Sequence, residues 1–165
     1  MAEIKGITLK GLTSFVGMEN LAYQGNIYLN GKKIGWFSQS GDGGCSTIRY
    51  NNREIKNEVD KIIKKYFEEN PPDIEWANTD EFFYEILLNL ILEEKDFKKT
   101  RKKGYAWQII ADTKFDPDTP YKEARVYSIP PHLASNEKIK ELISELEAEG
   151  YNKIKIYKSL NDFCI

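Results

Sequence analysis

The stretch that decides the fold is Tyr23 to Ser38, YQGNIYLNGKKIGWFS. Tyr23, Gly25, Ile27 and Leu29 fall on one face of an extended chain, and Gln24, Asn26 and Tyr28 on the other. That period of two is a strand's. Asn30-Gly31 follows, and both residues accept the positive φ that a type I′ turn demands. Ile34 to Ser38 then reads as the return strand of a hairpin. Upstream, Ile4 to Leu12 mixes β-branched and apolar residues, with glycine breaks at Gly6 and Gly11. Downstream, the loop SGDGG (Ser40 to Gly44) leads into a strand at Cys45 to Tyr50. The first fifty residues therefore predict an antiparallel meander of three or four strands.

The pattern then turns helical. Ile55, Val59, Ile62, Ile63, Tyr66 and Phe67 make one stripe at helical spacing, with Asn51 or Asn52 as N-cap and Pro71-Pro72 as stop. A second helix is expected to start near Asn78, with Glu81 in a capping-box position and an apolar body from Phe82 to Leu92. Apolar around most of its girth, it reads as the central helix of the fold. Tyr105 to Ala111 and Ala124 to Ile129 are predicted strands joined by the turn-rich DTKFDPDTPYKE. Ser135 caps a third helix with the stripe Ile139, Leu142, Ile143 and Leu146, and Gly150 stands where a left-handed C-terminal cap is wanted. A last strand holds Ile154, Ile156 and Tyr157. The order is meander, two central helices, two strands, a helix and a final strand, which is α+β. A single domain over residues 1–165 is expected, with a subdomain division possible near residue 100.

Composition excludes several classes. Lys and Arg number 24 against 26 Asp and Glu, so the formal charge of −2 excludes a uniformly basic polyanion binder. Aromatics at 13% exclude a disordered chain. The longest apolar run, Phe82 to Leu92, falls short of the roughly 20 residues that span a bilayer. The start, MAEIKGITLKG, carries no apolar run of signal-peptide length. Cys45 and Cys164 are far apart and form no C-x-x-C motif, which reads as two buried or half-buried free thiols in a reducing cytoplasm. The expected location is cytoplasmic, with no membrane contact.

The near-zero sum conceals polarity. Residues 51–97 hold six basic and thirteen acidic side chains, whereas residues 98–103, KKTRKK, hold five basic and none acidic. The basic cluster of Lys98, Lys99, Arg101, Lys102 and Lys103 suits a phosphate, with Tyr105 and Trp107 nearby as stacking platforms. Its plain alternative is the C-terminal end of the second helix, where cations complement the dipole. The acidic run from Glu68 to Asp96 suits a basic cleft on another protein, or is a solvated surface.

Assembled catalytic chemistry is not legible. The lone His132 follows Pro130-Pro131 with no nucleophile tied to it, and reads as a surface-loop residue. Two Cys and one His make no zinc pattern. Asp112, Asp116 and Asp118 lack the glycine and terminal Glu of a calcium loop. The glycine-rich Gly41 to Gly44 precedes a strand, whereas both phosphate-binding fingerprints need a helix there. No cofactor and no metal are expected.

The run Gly11 to Gly44 resembles the opening of a group of small uncharacterised proteins from phages and bacterial mobile elements. Phe15, the Asn30-Gly31-Lys32-Lys33 turn, Trp36-Phe37 and Gly43-Gly44 carry the resemblance, and Glu93 to Ile110 resembles that group's acidic-to-basic helix end. It covers about a third of the chain. It implies no activity and points to an accessory protein of phage type.

These readings together predict a non-enzymatic cytosolic binding protein that contacts another protein, of phage or mobile-element type, as an inhibitor of a host or defence protein. Two alternatives stand beside it. One is a binder that sequesters a small anionic ligand or nucleotide; the other is a nucleic-acid binder working through residues 98–103. Enzymatic carboxylate chemistry ranks last. The candidate contacts are Trp36, Asp42, Gly43, Trp76, Lys98, Lys99, Arg101, Lys102, Tyr105 and Trp107.

Overall fold

The computed structural model describes residues 1–17, 21–42, 44–72, 79–113 and 123–165. The fold is α+β: a four-stranded antiparallel meander, two helices, then a three-stranded sheet with a third helix. The chain divides into two compact units, Met1–Leu92 with Phe163–Ile165, and Glu93–Asp162.

In the first unit, strands β1 (Ile7–Val16), β2 (Leu21–Leu29), β3 (Lys32–Gln39) and β4 (Thr47–Tyr50) pair in sequence order. Leu29 lies opposite Lys32, so the hairpin loop is Asn30-Gly31 alone, with φ of 49° and 81° as a type I′ turn requires. Gly25, Ile27 and Leu29 are buried, as their alternation implies.

The first strand departs from its expected bounds at both ends. Lys5 and Gly6 both take positive φ, which folds Ile4 back onto Ile7 and delays the strand. At its other end β1 runs past Gly11 through a register shift between Lys10 and Thr13. An extra residue absorbed as a bulge keeps the ladder going where a glycine break is expected. The fourth strand starts at Thr47 and not at Cys45. Both cysteines are free but exposed, contrary to the expectation of burial. Cys45 lies in the approach to β4, and Cys164 lies in the last three residues, which pair with the N-terminal segment. Glu3 N–H donates to Phe163 O at 2.9 Å, and Ile165 N–H to Glu3 O at 3.0 Å.

Helix α1 (Arg53–Glu69) is capped by Asn52, whose side chain accepts from Ile55 N–H at 2.9 Å. Val59, Ile63, Tyr66 and Phe67 of its stripe are buried. Helix α2 (Asp80–Lys102) is twice as long as its expected body. Asn78 lies outside the described residues. Thr79 supplies the cap: its hydroxyl accepts from Phe82 N–H at 3.2 Å and its carbonyl from Phe83 N–H at 3.0 Å. The Glu81 carboxylate accepts from Ser46 N–H. Aromatic rings tie these elements: Phe37 stacks on Tyr84 at 5.8 Å, and Tyr66 meets Phe83 edge-on at 5.4 Å. Such pairs contribute about 0.5–1.5 kcal/mol each beyond their area burial.

In the second unit, strands β5 (Trp107–Asp112), β6 (Arg125–Ile129) and β7 (Lys153–Tyr157) form an antiparallel sheet in the order β6-β5-β7. Helix α3 (Asn136–Ala148) is capped by Ser135, which accepts from Lys138 N–H. Ile109, Ala111 and Ile129 bury one sheet face against Ile139 and Leu146 of this helix. α3 ends in a Schellman motif: Gly150, at φ 92°, donates to Glu147 O, and Tyr151 N–H to Leu146 O. The residues of α2 from Glu93 onward belong to this unit, and that helix ends the same way. Gly104, at φ 91°, donates to Arg101 O at 3.0 Å, and Tyr105 N–H to Thr100 O at 3.3 Å.

Candidate functional site

The basic cluster is the C-terminal end of α2, as its plain alternative holds. The helix continues through EEKDFKKTRK because these are good helix formers and Lys and Arg favour the last turn. Helical spacing places Lys98, Arg101 and Lys102 on one side. They line a cavity of about 430 Å³ together with Lys158, Ser159 and Leu160, which follow β7, and the buried ring of Phe97. Four basic residues thus line one concavity within the second unit.

The four are differently engaged. Lys98 Nζ lies 2.7 Å from the carboxylate of the buried Glu94, one helical turn back. Arg101 Nη1 donates to Ala106 O at 2.8 Å, which ties the helix end to the chain entering β5 and leaves the guanidinium's other donors. Lys158 Nζ stands 4.4 Å from the centre of the Trp107 ring and donates to Asn136 Oδ1 at 3.2 Å. Lys102 forms no ion pair among the described residues.

The Lys158–Asp162 corner is built by local chemistry. Asp162 accepts from Lys158 N–H at 2.6 Å and Ser159 N–H at 2.9 Å. Burial pushes its carboxyl up, but these donors outweigh that and hold it below the usual carboxylate range. Immediately before this corner, Glu93 of α2 accepts from Lys155 Nζ at 2.7 Å and from the hydroxyl of Tyr157 at 2.5 Å. These bonds fasten the end of β7, and with it Lys158, to the helix that carries the other three cations. A helix C-terminus bears a partial negative charge that opposes an anion. Here the Schellman cap occupies the Thr100 and Arg101 carbonyls, and with Lys98 paired to Glu94 the charges of Arg101, Lys102 and Lys158 still exceed the roughly half-charge of the dipole.

The other expected contacts separate. Lys99 does not line the cavity; its ammonium pairs with Asp96 at 2.9 Å on the exposed helix surface. Tyr105 contributes its backbone to the helix cap, and its ring is exposed. Trp107 joins the site through Lys158. Trp36 is half-buried in β3, between Asn26 and Arg49 on the neighbouring strands. Asp42 shapes its own loop: Ser40's hydroxyl and Gly44's N–H donate to its carboxylate and hold it below its ordinary value. Both belong to the first unit. Gly43, Trp76, Asp116 and Asp118 lie outside the described residues. His132 is exposed in a 3-10 turn at Pro131–Leu133.

Lys158, Ser159 and Leu160 are the site residues that sequence reasoning missed. The available signal was Ser159-Leu160-Asn161-Asp162, an S-x-x-D capping pattern after the last strand. Its meeting with residues 98–102 has no trace in the sequence.

A second titratable cluster lies in the first unit. Lys56 Nζ sits 2.7 Å from Asp60 and 4.0 Å from Asp80, and the Tyr50 hydroxyl donates to that of Tyr84 at 3.3 Å. Burial, then the charge of Asp60, pushes the Asp80 carboxyl up, against Lys56 and the Tyr50 hydroxyl. Burial pushes both tyrosine hydroxyls far up. Kept protonated, they can donate but supply no base. Among the described residues no group of three or more His, Cys, Asp or Glu is placed to hold a metal ion. None of the described helices is long and apolar enough to cross a membrane. Compared with protein-family models, curated proteins and solved structures, the chain finds no match among them.

Proposed function

We propose that the second unit binds a small, multiply charged anion of the phosphate class, of nucleotide size or below, in the cavity at the end of α2. One observation carries this reading: Lys98, Arg101 and Lys102 share a single cavity with Lys158 and Ser159. Its volume of about 430 Å³ falls in the range of small-ligand sites. Phosphate oxygens suit such a lining, because an Arg fork and mobile ammonium groups give charge-assisted hydrogen bonds without a rigid cage. On this reading the site binds and sequesters its anion. The cytosolic interaction protein of phage type, inhibiting a host or defence protein, draws on the resemblance and the polarised charge. It ranks second because no set of side chains gathered in space speaks for it.

Calorimetric titration with inorganic phosphate, pyrophosphate, AMP, ADP and ATP tests the proposal. Saturable binding of at least one is expected, with Lys102→Glu and Lys158→Glu each weakening it about 10-fold or more, the size of one charge-assisted contact. Lys99→Glu leaves it within about 2-fold, since an exposed charge at that remove is screened. A flat response across the panel overturns the proposal. Equal loss in Lys99→Glu, with affinity for single-stranded nucleic acid falling steeply with salt, replaces it by nucleic-acid binding along the whole helix end.

A further inference from the structure

We propose that the outer edge of β1, from Leu12 to Val16, pairs antiparallel with the same segment of a second copy of this chain. β1 is the end strand of its sheet, and Thr13 to Val16 pair with β2 on one side only. In an antiparallel ladder alternate residues turn their N–H and C=O groups away from the neighbour. Along this stretch those outward groups have no hydrogen-bond partner among the described residues. Native sheets blunt such edges with charge, proline or a bulge, and the bulge of this strand is at Gly11 and Leu12, not along Thr13 to Val16. Here the run Gly11 to Gly17, GLTSFVG, contains neither charge nor proline. The register shift takes in Gly11 and Leu12, and Thr13 to Val16 beyond it pair with β2 in regular register. Phe15 and Val16, at 49% and 87% exposure, stand on the same open end.

The sequence of the edge selects the occupant. About a two-fold axis at Ser14, Ser14 faces Ser14 of the second copy, Thr13 faces its Phe15, and Leu12 faces its Val16. Each is a favourable cross-strand pair: hydroxyl with hydroxyl, β-branched with aromatic, apolar with apolar. The register brings no like charges together, because the nearest charge, Lys10, lies beyond the paired segment. A five-residue pairing buries less than the roughly 1,200 Å² of stable complexes, so the dimer is weak and forms at high concentration.

Sedimentation velocity of the full chain from about 10 µM to about 1 mM, the range of weak association, tests this. The weight-average mass of the wild type is expected to rise from 19.2 kDa toward twice that value. Ser14→Lys sets two ammonium groups face to face at the axis and stays monomeric, as does Ser14→Asp with two carboxylates. Ser14 is exposed, so both variants keep the wild-type circular dichroism. An equimolar mixture of the two regains association, because the axis then pairs opposite charges. A wild type that stays monomeric throughout, a Ser14→Lys that associates like the wild type, or a mixture with no regain overturns the proposal.

Discussion

Glu93 is the side chain through which the cation-bearing end of α2 and the Lys158 corner are coupled, and its replacement by alanine has a cost that can be worked out. Its carboxylate, 18% exposed, accepts from Lys155 Nζ at 2.7 Å and from the Tyr157 hydroxyl at 2.5 Å. Lys155 is 41% exposed, so that ion pair is partly solvated and contributes about 0.5–1 kcal/mol. Tyr157 is 5% exposed, and its hydrogen bond to a charged acceptor contributes about 1.5–3 kcal/mol. Alanine's better helix propensity returns about 0.4 kcal/mol. The net expectation for Glu93→Ala is a destabilisation of about 2.5 kcal/mol, or about 1.3 M in urea midpoint for an m-value near 2 kcal/mol/M. Glu93→Gln keeps an acceptor for Tyr157 and loses the ion pair, so its cost is about half. Urea titration in a Trp36→Phe, Trp76→Phe background leaves Trp107, in the second unit, as the fluorescent reporter. A shift below about 0.3 M for Glu93→Ala, or equal shifts for the two variants, refutes the reasoning.

Three further outcomes are expected. A Cβ on Gly35 would stand 2.3 Å from Arg49 O, between strands bonded on both sides, so Gly35→Ala costs about 2–4 kcal/mol. Gly31→Ala meets nothing within 4 Å and costs only the strain of its φ of 81°, about 1–2 kcal/mol; thermal melts rank the two. Asn52→Ala removes the cap of α1 and costs about 1 kcal/mol in chemical denaturation, while Asn52→Asp retains it. The Asp162 carboxyl is held below its ordinary value, so its contribution to stability is present above the unfolded pKa and disappears as pH falls through the folded one. The stability gap between wild type and Asp162→Asn is therefore expected to be full at pH 7 and to shrink once pH falls below the ordinary aspartate value of about 4, as read by denaturation across pH.

The meander was legible because every signal in it is local. Alternation over Tyr23–Leu29 chose the buried face, and Asn30-Gly31 chose the turn and its first two pairs, before a one-residue shift at Ile34 resets the register. The caps at Asn52 and Ser135 and the αL glycine at Gly150 were readable for the same reason: each is satisfied within a few residues. The second helix begins close to its expected start, with Thr79 as cap, and it runs on through Glu93–Lys102 to the basic cluster, which one of the two readings of that cluster makes its end. Periodicity in apolar residues is silent where a helix carries mostly charge.

By itself, then, the sequence determined the α+β class, the hairpin and its turn, the position of the first and third helices and the existence of a dense positive segment at 98–103. Each follows from steric or hydrogen-bonding rules that act over one or two turns of chain. Only the tertiary structure decided which of those cations lie together. Lys98, Arg101 and Lys102 face a common cavity and Lys99 does not, because a helix presents every third and fourth residue to the same side. Lys158 joins them across more than fifty residues of chain because Glu93 grips Lys155 and Tyr157 at the end of β7. Long-range pairing of that kind is set by how elements pack, and no local pattern encodes it.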